Sequence, residues 1–177
     1  MQRKAEPPPR IKIAVDTTLD GGTGQQTAAT VLLDQRLLAR AASKFPQFDV
    51  LAVSPDTLLA SRFILVATLT SLDRSAQASG FRINLSLTDM RSGIVVARAA
   101  AQSTAVGIDL TPTPFFRDSP ALTRDKAVDG QIRTAQTEVG AAADGVYLSS
   151  LTVAALIAEG SRLYDSGQFD AALHAYE

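Results

Sequence analysis

Apolar and polar residues alternate along much of the chain, and this alternation predicts β-strands. It is cleanest in the strand predicted over residues 81–90, where from 81 to 88 every second side chain is apolar and those between are polar, as in a strand with one buried face. Residues 63–72 are almost continuously apolar, which is typical of a central strand. A turn containing Gly93 predicts an antiparallel hairpin with a further strand over 94–101. Shorter strands are predicted over 11–15 and 48–53.

A helical spacing separates these strands. Over residues 25–44, apolar residues recur every three or four positions, which predicts an amphipathic helix. The positions of this stripe are Ala28, Val31, Leu32, Leu38, Ala39 and Ala42. Thr23 and Gln26 fit a capping box before it. Ser54 predicts the N-cap of a second, short helix over 55–61.

This order of elements predicts an α/β (α+β) fold over residues 11–102. A sheet with one apolar face needs only one covering layer of helix. We therefore expect a two-layer sandwich, with a mostly antiparallel sheet and helices on one face. The helix over 25–44 is expected to pack on the apolar side of the strand at 81–90, whose residues are Phe81, Ile83, Leu85 and Leu87.

Two segments show no clear periodicity. Residues 1–10 are polar and rich in proline, which predicts an extended leader. Residues 103–150 are interrupted by prolines and glycines but keep apolar anchors. Since a structureless loop of this length is uncommon in a compact domain, we expect an extended arm packed on the domain, with a flexible linker as the alternative.

Residues 151–177 resemble the start of a tetratricopeptide repeat, which implies a C-terminal helical hairpin. The positions that carry the resemblance are Leu156, Gly160, Leu163, Tyr164, Gly167, Phe169, Ala172, Leu173 and Tyr176. Leu156 stands where a large aromatic residue is usual. Because one incomplete repeat cannot bury its own apolar face, we expect a longer natural protein. The last ~20 residues should then be frayed or paired with a second copy, giving a possible homo-oligomer.

Composition narrows the choice of function. Apolar residues make up 46% of the chain and charged residues 20%, and 17 basic against 18 acidic side chains give a net charge of −1. Without an excess of positive charge, nucleic acid is not expected as a partner. There is no cysteine, and His174 is the single histidine. Thiol nucleophiles, cysteine-based zinc sites and, very nearly, histidine triads are thereby excluded. We predict no catalytic, cofactor-binding or metal-binding residues, and no enzyme.

Two local patterns invite a chemical interpretation. The glycine-rich loop over 21–26 could hold a phosphate at a helix N-terminus, but the lysine and the glycine spacing of known phosphate loops are absent. A connecting loop is favoured. Asp118, Asp125 and Asp129 could serve acid–base chemistry or Ca²⁺. Their wide spacing, with basic residues between them, favours salt links or a solvated face instead.

Two stretches, 62–70 and 81–93, resemble segments of the periplasmic domain of bacterial envelope lipoproteins. Members of that group are the curli-secretion lipoprotein and the lipoprotein activator of penicillin-binding proteins. A more distant likeness is to the N-terminal domain of the Tol-system β-propeller protein. Ala67 stands where the group commonly has glycine. Over residues 11–101 the resemblance implies a small α/β fold, a location at a membrane in the periplasm, and protein binding without catalysis.

From the sequence we therefore expect a non-catalytic protein-interaction module of a bacterial cell-envelope assembly. Its partners would be envelope proteins, and it would be a periplasmic, outer-membrane-associated lipoprotein held by a tether outside this sequence. The alternatives are a cytosolic tetratricopeptide scaffold and, less favoured, a phosphate- or nucleotide-binding enzyme domain. The predicted partner-binding residues are Arg82, Asn84, Ser86, Thr88, Phe115, Phe116, Leu163 and Tyr164. A solvated sheet face and simple burial of the aromatic pair are the alternatives for these positions.

Overall fold

The structure, a computed structural model, describes residues 10–73, 80–119 and 124–176. Its strands are β1 (Ile11–Val15), β2 (Leu19–Asp20), β3 (Phe48–Ala52), β4 (Phe63–Ser71), β5 (Gly80–Asp89) and β6 (Ile94–Thr104). Its helices are α1 (Ala28–Lys44), α2 (Pro55–Ala60), α3 (Pro114–Asp118), α4 (Lys126–Gln136), α5 (Gly145–Asp165) and α6 (Phe169–Tyr176). The predicted leader falls almost entirely on residues 1–9, which lie outside the described part.

The strands form one open sheet in the order β3-β1-β4-β5-β6, with β2 pairing beside β4. β1 is parallel to both β3 and β4, and β2 is parallel to β4. β4, β5 and β6 run antiparallel to one another. The α/β fold class is confirmed. So is the β5–β6 hairpin, in whose turn Gly93 takes the positive φ of 70° that favours glycine.

Helices cover both faces of the sheet, whereas one covered face was expected. On one face, α4 and α5 pack on Ala14, Ile64 and Val66 to form the main core. On the other face, α1 lies over the β1–β3 edge. The polar side of β5 is buried under α4, and Ser86 Oγ donates a hydrogen bond to the Thr134 carbonyl at 2.8 Å. Ser86 can be buried in this way because the helix supplies a partner for its hydroxyl.

The packing expected of the first helix is also different. α1 packs mainly on β3 and not mainly on the strand at 81–90. Phe81 is buried, but Ile83, Leu85 and Leu87 are only half-buried. The apolar side of β5 is therefore left partly open.

Segment 103–150 contains α3, α4 and the beginning of α5, instead of an extended arm. The stretch before α3 does lie against the domain without regular structure. There, Ala28 and Ala29 donate backbone hydrogen bonds to Thr111 and Asp109 at 3.0 and 2.8 Å. The segment contacts the domain, and its helices were missed because glycine and polar residues dilute their apolar stripe.

The two predicted N-caps had different outcomes. Ser54 caps α2 through a capping box with Thr57, as the sequence indicated. The capping box of α1 uses Thr27 and Thr30 instead of Thr23 and Gln26. Thr23 Oγ1 instead accepts a hydrogen bond from the Gln25 amide at 3.2 Å within the preceding loop.

A helical hairpin closes the described chain, as predicted, but its first helix is part of the α/β core. α5 begins at Gly145 and contributes Tyr147, Leu151 and Ala155 to that core. α6 packs on α5 through Ala172, which is 2% exposed, so the last turns have an intramolecular partner. Assignment to the tetratricopeptide family stays a prediction. Among the described residues, no helix has both the length and the hydropathy needed to cross a membrane.

Candidate functional site

The four residues predicted as a docking face on β5 do not form one. Asn84, Ser86 and Thr88 are 4%, 1% and 0% exposed, because α4 covers them. Only Arg82 of this set is exposed. A partner cannot reach this face without displacing α4.

The predicted aromatic anchors form an internal cluster where α3 meets the C-terminal hairpin. Phe115 is 8% exposed. Its ring stacks on Tyr176 at 6.2 Å and meets Tyr164 edge-on at 5.9 Å. Phe116 and Leu163 are half-buried. Burial, the simpler alternative, describes Phe115 best.

The glycine-rich loop satisfies its own backbone. Asp20 Oδ1 accepts the amides of Gly22 and Thr23 at 2.8 and 2.7 Å. The guanidinium of Arg124 donates to the carbonyls of Gly21 and Gly22 at 3.1 and 2.8 Å. Two amides that could hold a phosphate are therefore already occupied by a carboxylate.

The aspartates over 118–129 have structural roles. Asp125 caps α4 by accepting the Val128 amide at 2.9 Å, and Asp129 pairs with Arg124. Asp118 accepts a hydrogen bond from Tyr164 at 3.3 Å. Within the described ranges, no three histidine, cysteine, aspartate or glutamate side chains are placed to hold a metal ion.

A surface that sequence reasoning missed is the outer edge of β6. At its start, Val95 donates to the Ala141 carbonyl at 3.0 Å and accepts from the Gly140 amide at 2.8 Å. From residue 96 to 104 the described part of the chain supplies no further backbone partner on this side. Residues 96–102 are all exposed. The edge therefore offers unpaired backbone groups to a neighbour.

The sheet pairing fixes which groups point outward. Leu72 donates to the carbonyl of Gly80 at 3.0 Å, so Gly80 directs its carbonyl toward β4. Alternation then turns the odd-numbered residues of β5 toward β6. Their partners are Ala97, Ala99, Ala101 and Ser103. The residues between them, whose N–H and C=O groups point away from the sheet, are Arg98, Ala100 and Gln102.

An apolar groove runs beside this edge on the α1 face of the sheet, and we call it the β6 groove. Its volume is about 740 Å³. Its floor includes Phe63, Leu65, Leu85, Leu87, Val96, Ala97 and Ala99, and its wall includes Leu37, Ala41 and Phe45 from α1. Phe45 is 52% exposed and Val96 is 43% exposed. The groove exists because α1 covers β1 and β3 and leaves β4–β6 open.

A second site, which we call the acidic cleft, lies at the carboxyl end of β1. The chain passes from β1 to β3 on one side and then returns to β4 on the other side. Ligands of α/β sheets commonly bind beyond the carboxyl ends of strands at such a reversal. The cleft has a volume of about 730 Å³ and includes Asp16, Gln26, Asp34, Thr113 and Arg162 among its lining residues.

Asp16 is the most deeply buried acid of the cleft, at 3% exposure. Its Oδ2 accepts a hydrogen bond from the Tyr147 hydroxyl at 2.6 Å, and Oδ1 accepts the Thr17 amide at 2.8 Å. Burial raises the pKa of the Asp16 carboxyl, although both hydrogen bonds act in the opposite direction. The pKa of Tyr147 is raised by burial and by the neighbouring Asp16.

Asp34 and Arg162 carry opposite charges in the same cleft without forming an ion pair. Asp34 accepts hydrogen bonds from the hydroxyl and, at 3.1 Å, from the amide of Thr18. Burial raises its pKa to about 7. Burial also lowers the pKa of Arg162, whose guanidinium donates to the Val53 carbonyl at 2.6 Å.

One sequence signal could have indicated the cleft. Asp16 directly follows the apolar strand 11–15 and opens a loop before a helix, which is a common position for a ligand-facing carboxylate. Arg162 comes from a distant helix, and no local pattern links it to Asp16. The β6 groove depends on where α1 lies, which the local spacing of residues does not determine.

No family model matches the chain, and no curated protein matches its sequence. The solved structures similar to it include a lipoprotein and a protein of the DUF330 family. Lipoprotein GNA1162 from Neisseria meningitidis is 15% identical over 54% of this chain and 85% of its own, with a TM-score of 0.39. Protein XCC0632 from Xanthomonas campestris, of the DUF330 family, is 15% identical over 95% of this chain and 92% of its own, with a TM-score of 0.36.

Proposed function

We propose that the chain is a non-catalytic protein-binding module that takes up an extended segment of a partner protein along β6. The observation that carries this proposal is the open edge of β6 beside the β6 groove. A strand added to a sheet edge gains affinity from main-chain hydrogen bonds and specificity from alternate side chains. The unpaired backbone groups of β6 meet the first requirement, and the β6 groove meets the second.

The chemistry of the edge defines the occupant. The outward N–H and C=O groups of Arg98, Ala100 and Gln102 fit another extended backbone and little else. Exposed edges are usually protected by charged residues, proline or a bulge. Along 97–102 the side chains are mostly alanine, and the one charged residue, Arg98, is paired with Glu138.

The groove sets the side-chain preference of the partner. A strand laid along β6 directs every second side chain toward the α1 face. On that side it lies beside Val96, Ala97 and Ala99, which form the outer border of the apolar groove. The partner segment should therefore alternate apolar residues, toward the groove, with polar ones.

We place this module in the bacterial envelope because of the resemblance carried by residues 62–70 and 81–93. The test is the fractionation of cells that carry the full-length natural gene with a C-terminal tag. Release of the protein with the membrane fraction, and its digestion by protease added to spheroplasts, would support this location. Recovery only in the cytosol would favour the scaffold alternative.

Binding is tested with a synthetic peptide of about ten residues that alternates valine and threonine. The control is a copy of the peptide that is N-methylated at every second residue. It lacks the N–H donors along one of its edges and cannot form the hydrogen bonds of that edge. We expect the first peptide to bind, with amide NMR shifts concentrated on residues 96–104, and the methylated peptide to lose most of the affinity.

The matched variants are Ala100→Pro and Ala100→Val. Proline removes the outward N–H at 100 without breaking a bond to β5, whereas valine keeps it. Val96→Lys tests the groove. The proposal is overturned if Ala100→Pro binds as well as Ala100→Val, or if the shifts map elsewhere. Concentration-dependent self-association that Ala100→Pro abolishes would identify a second copy as the occupant and overturn the choice of partner.

A further inference from the structure

The acidic cleft lies away from β6 and has no part in strand binding. Its walls are largely apolar: Val15, Val31, Leu38, Ala52, Pro112 and Pro114. Its polar groups come from the end of β1, from the start of α1 and from α5. A mostly apolar cavity with a few converging polar groups is the usual form of a small-molecule site.

The charges of the cleft are incompletely paired. Asp34 and Arg162 are close enough for each to affect the pKa of the other. Yet none of the ion pairs found among the described residues involves either of them. Arg162 makes one hydrogen bond, to the Val53 carbonyl, which leaves most of its N–H donors available.

The other charged groups at the rim have partners of their own. Arg117 pairs with Asp118 at 3.3 Å. Asp165 accepts the Phe115 amide at 2.7 Å, and Asp109 accepts the Thr111 amide at 2.9 Å. The guanidinium of Arg162 therefore keeps the most donors for a ligand, and Asp34, which also accepts a hydrogen bond from the Gln26 side chain at 3.5 Å, is the acid that acts on it from the same cleft.

Thr113 provides an independent observation. This residue lines the cleft and is 7% exposed. Its hydroxyl has no hydrogen-bond partner within the described part of the chain. An unsatisfied buried hydroxyl is costly, and a polar ligand would offer it a partner once Thr113 turned its hydroxyl toward the cleft.

We propose that the cleft binds a small zwitterion with an apolar body, of the amino-acid or dipeptide class. The ammonium group would lie against Asp34, near the amide of Gln26. The carboxylate would lie against Arg162, and the side chains would contact the apolar walls. A ligand with only one of the two charges would interact with only one of these side chains, so it should bind more weakly.

The test is calorimetry of the purified chain with leucine and leucyl-leucine. The controls are N-acetyl-leucine, which lacks the ammonium, and leucinamide, which lacks the carboxylate. We expect at least one zwitterion to bind, and each blocked compound to bind at least about tenfold more weakly, as expected when a paired charge is lost. Amide NMR shifts on the wild-type chain should map to Gln26, Asp34 and Arg162.

Asp34→Asn and Arg162→Gln should each reduce affinity by about tenfold or more, and Arg36→Gln, on the exposed side of α1, should not. Circular dichroism of each variant checks its fold. Should a variant fail to fold, the ligand series and the shift map on the wild type still decide. The proposal is overturned by no binding up to about 10 mM, by equal binding of the blocked compounds, or by shifts on β6.

Discussion

The ring of Tyr176 lies against the backbone of Gly160, where α6 packs on α5. A Cβ atom placed at position 160 would be 2.4 Å from the ring Cζ and 2.7 Å from the hydroxyl oxygen. A side chain at 160 would fit only if the ring moved away. The absence of one therefore lets the ring of Tyr176 lie against α5, from where it continues into the aromatic cluster through Phe115.

Gly160→Ala should consequently destabilise the hairpin even though alanine is the better helix former by about 1 kcal/mol. We expect faster hydrogen exchange in α6 and a lower melting temperature. In a Tyr176→Ala background the same substitution should become neutral or stabilising, because the clash is gone. Gly145→Ala is the matched control, since the space around Gly145 is open. A Gly160→Ala variant that melts higher than wild type would contradict the packing described here.

Sequence patterns predicted the secondary-structure elements well where local rules determine the structure. β4, β5, the turn at Gly93 and the cap at Ser54 all follow local rules. Sequence periodicity did not predict which side of β5 is covered by a helix. The side that looks polar, with Asn84, Ser86 and Thr88, is the one under α4. Ser86 finds a partner there at Thr134, 48 residues away, whereas the buried Thr88 hydroxyl has none within the described part of the chain.

The candidate site was less predictable than the fold for the same reason. Its groups are brought together by distant packing: Asp16 from β1 meets Tyr147 from α5, 131 positions along the chain. The outer edge of β6 is open from residue 96 to 104 because no other described segment pairs with it there, and the sequence of β6 alone does not indicate this. Alternation in a single sequence describes how a strand is shaped and does not describe its neighbours.

Substitution on the two sides of β5 tests the reversed burial directly. Ser86→Ala loses a buried hydrogen bond and should lower the free energy of unfolding by about 1 kcal/mol. Ser86→Lys should prevent stable folding, because the charge would be forced under α4. Arg82→Ala, at an exposed position of the same strand, should change the free energy of unfolding by less than about 0.5 kcal/mol. Urea unfolding followed by circular dichroism measures all three. Tolerance of lysine at 86 would refute the burial of this side.

The hydrogen bond between Tyr147 and Asp16 should be important for stability. Tyr147→Phe keeps the ring in the core but removes the hydroxyl that donates to Asp16. The pKa of Asp16 should rise further, since this hydrogen bond is the main influence that lowers it. We expect a loss of about 1–3 kcal/mol at pH 7.5, the typical cost of leaving a buried polar group unsatisfied.

Tyr164→Phe is the control for that substitution, because its hydrogen bond to Asp118 is longer, at 3.3 Å, and exposed. Its effect should be small. Equal losses for the two variants would mean that the buried hydrogen bond has no special role.

The stability of the chain should fall as the pH rises from 5 to 8. Asp34 has a pKa of about 7 in the folded chain, against an ordinary value of 3.8. At pH 5 the folded chain therefore holds a proton at Asp34 that the unfolded chain has mostly released. Raising the pH removes that proton and lowers the free energy of unfolding. Since one pKa unit corresponds to about 1.4 kcal/mol, the fall amounts to a few kcal/mol at most.

The neighbours of Asp34 do not reverse this sign. Asp16 also has a raised pKa and adds to the slope, while Arg162 stays charged throughout the window. Asp89 and Asp144 have lowered pKa values because of Arg62 and Arg133, so both are ionised in the folded and the unfolded chain above pH 5. Asp34→Asn should flatten the dependence measured by urea unfolding at pH 5, 6, 7 and 8, leaving the part due to Asp16. A wild-type stability that is constant or rises over this range would show that Asp34 is already ionised at pH 5.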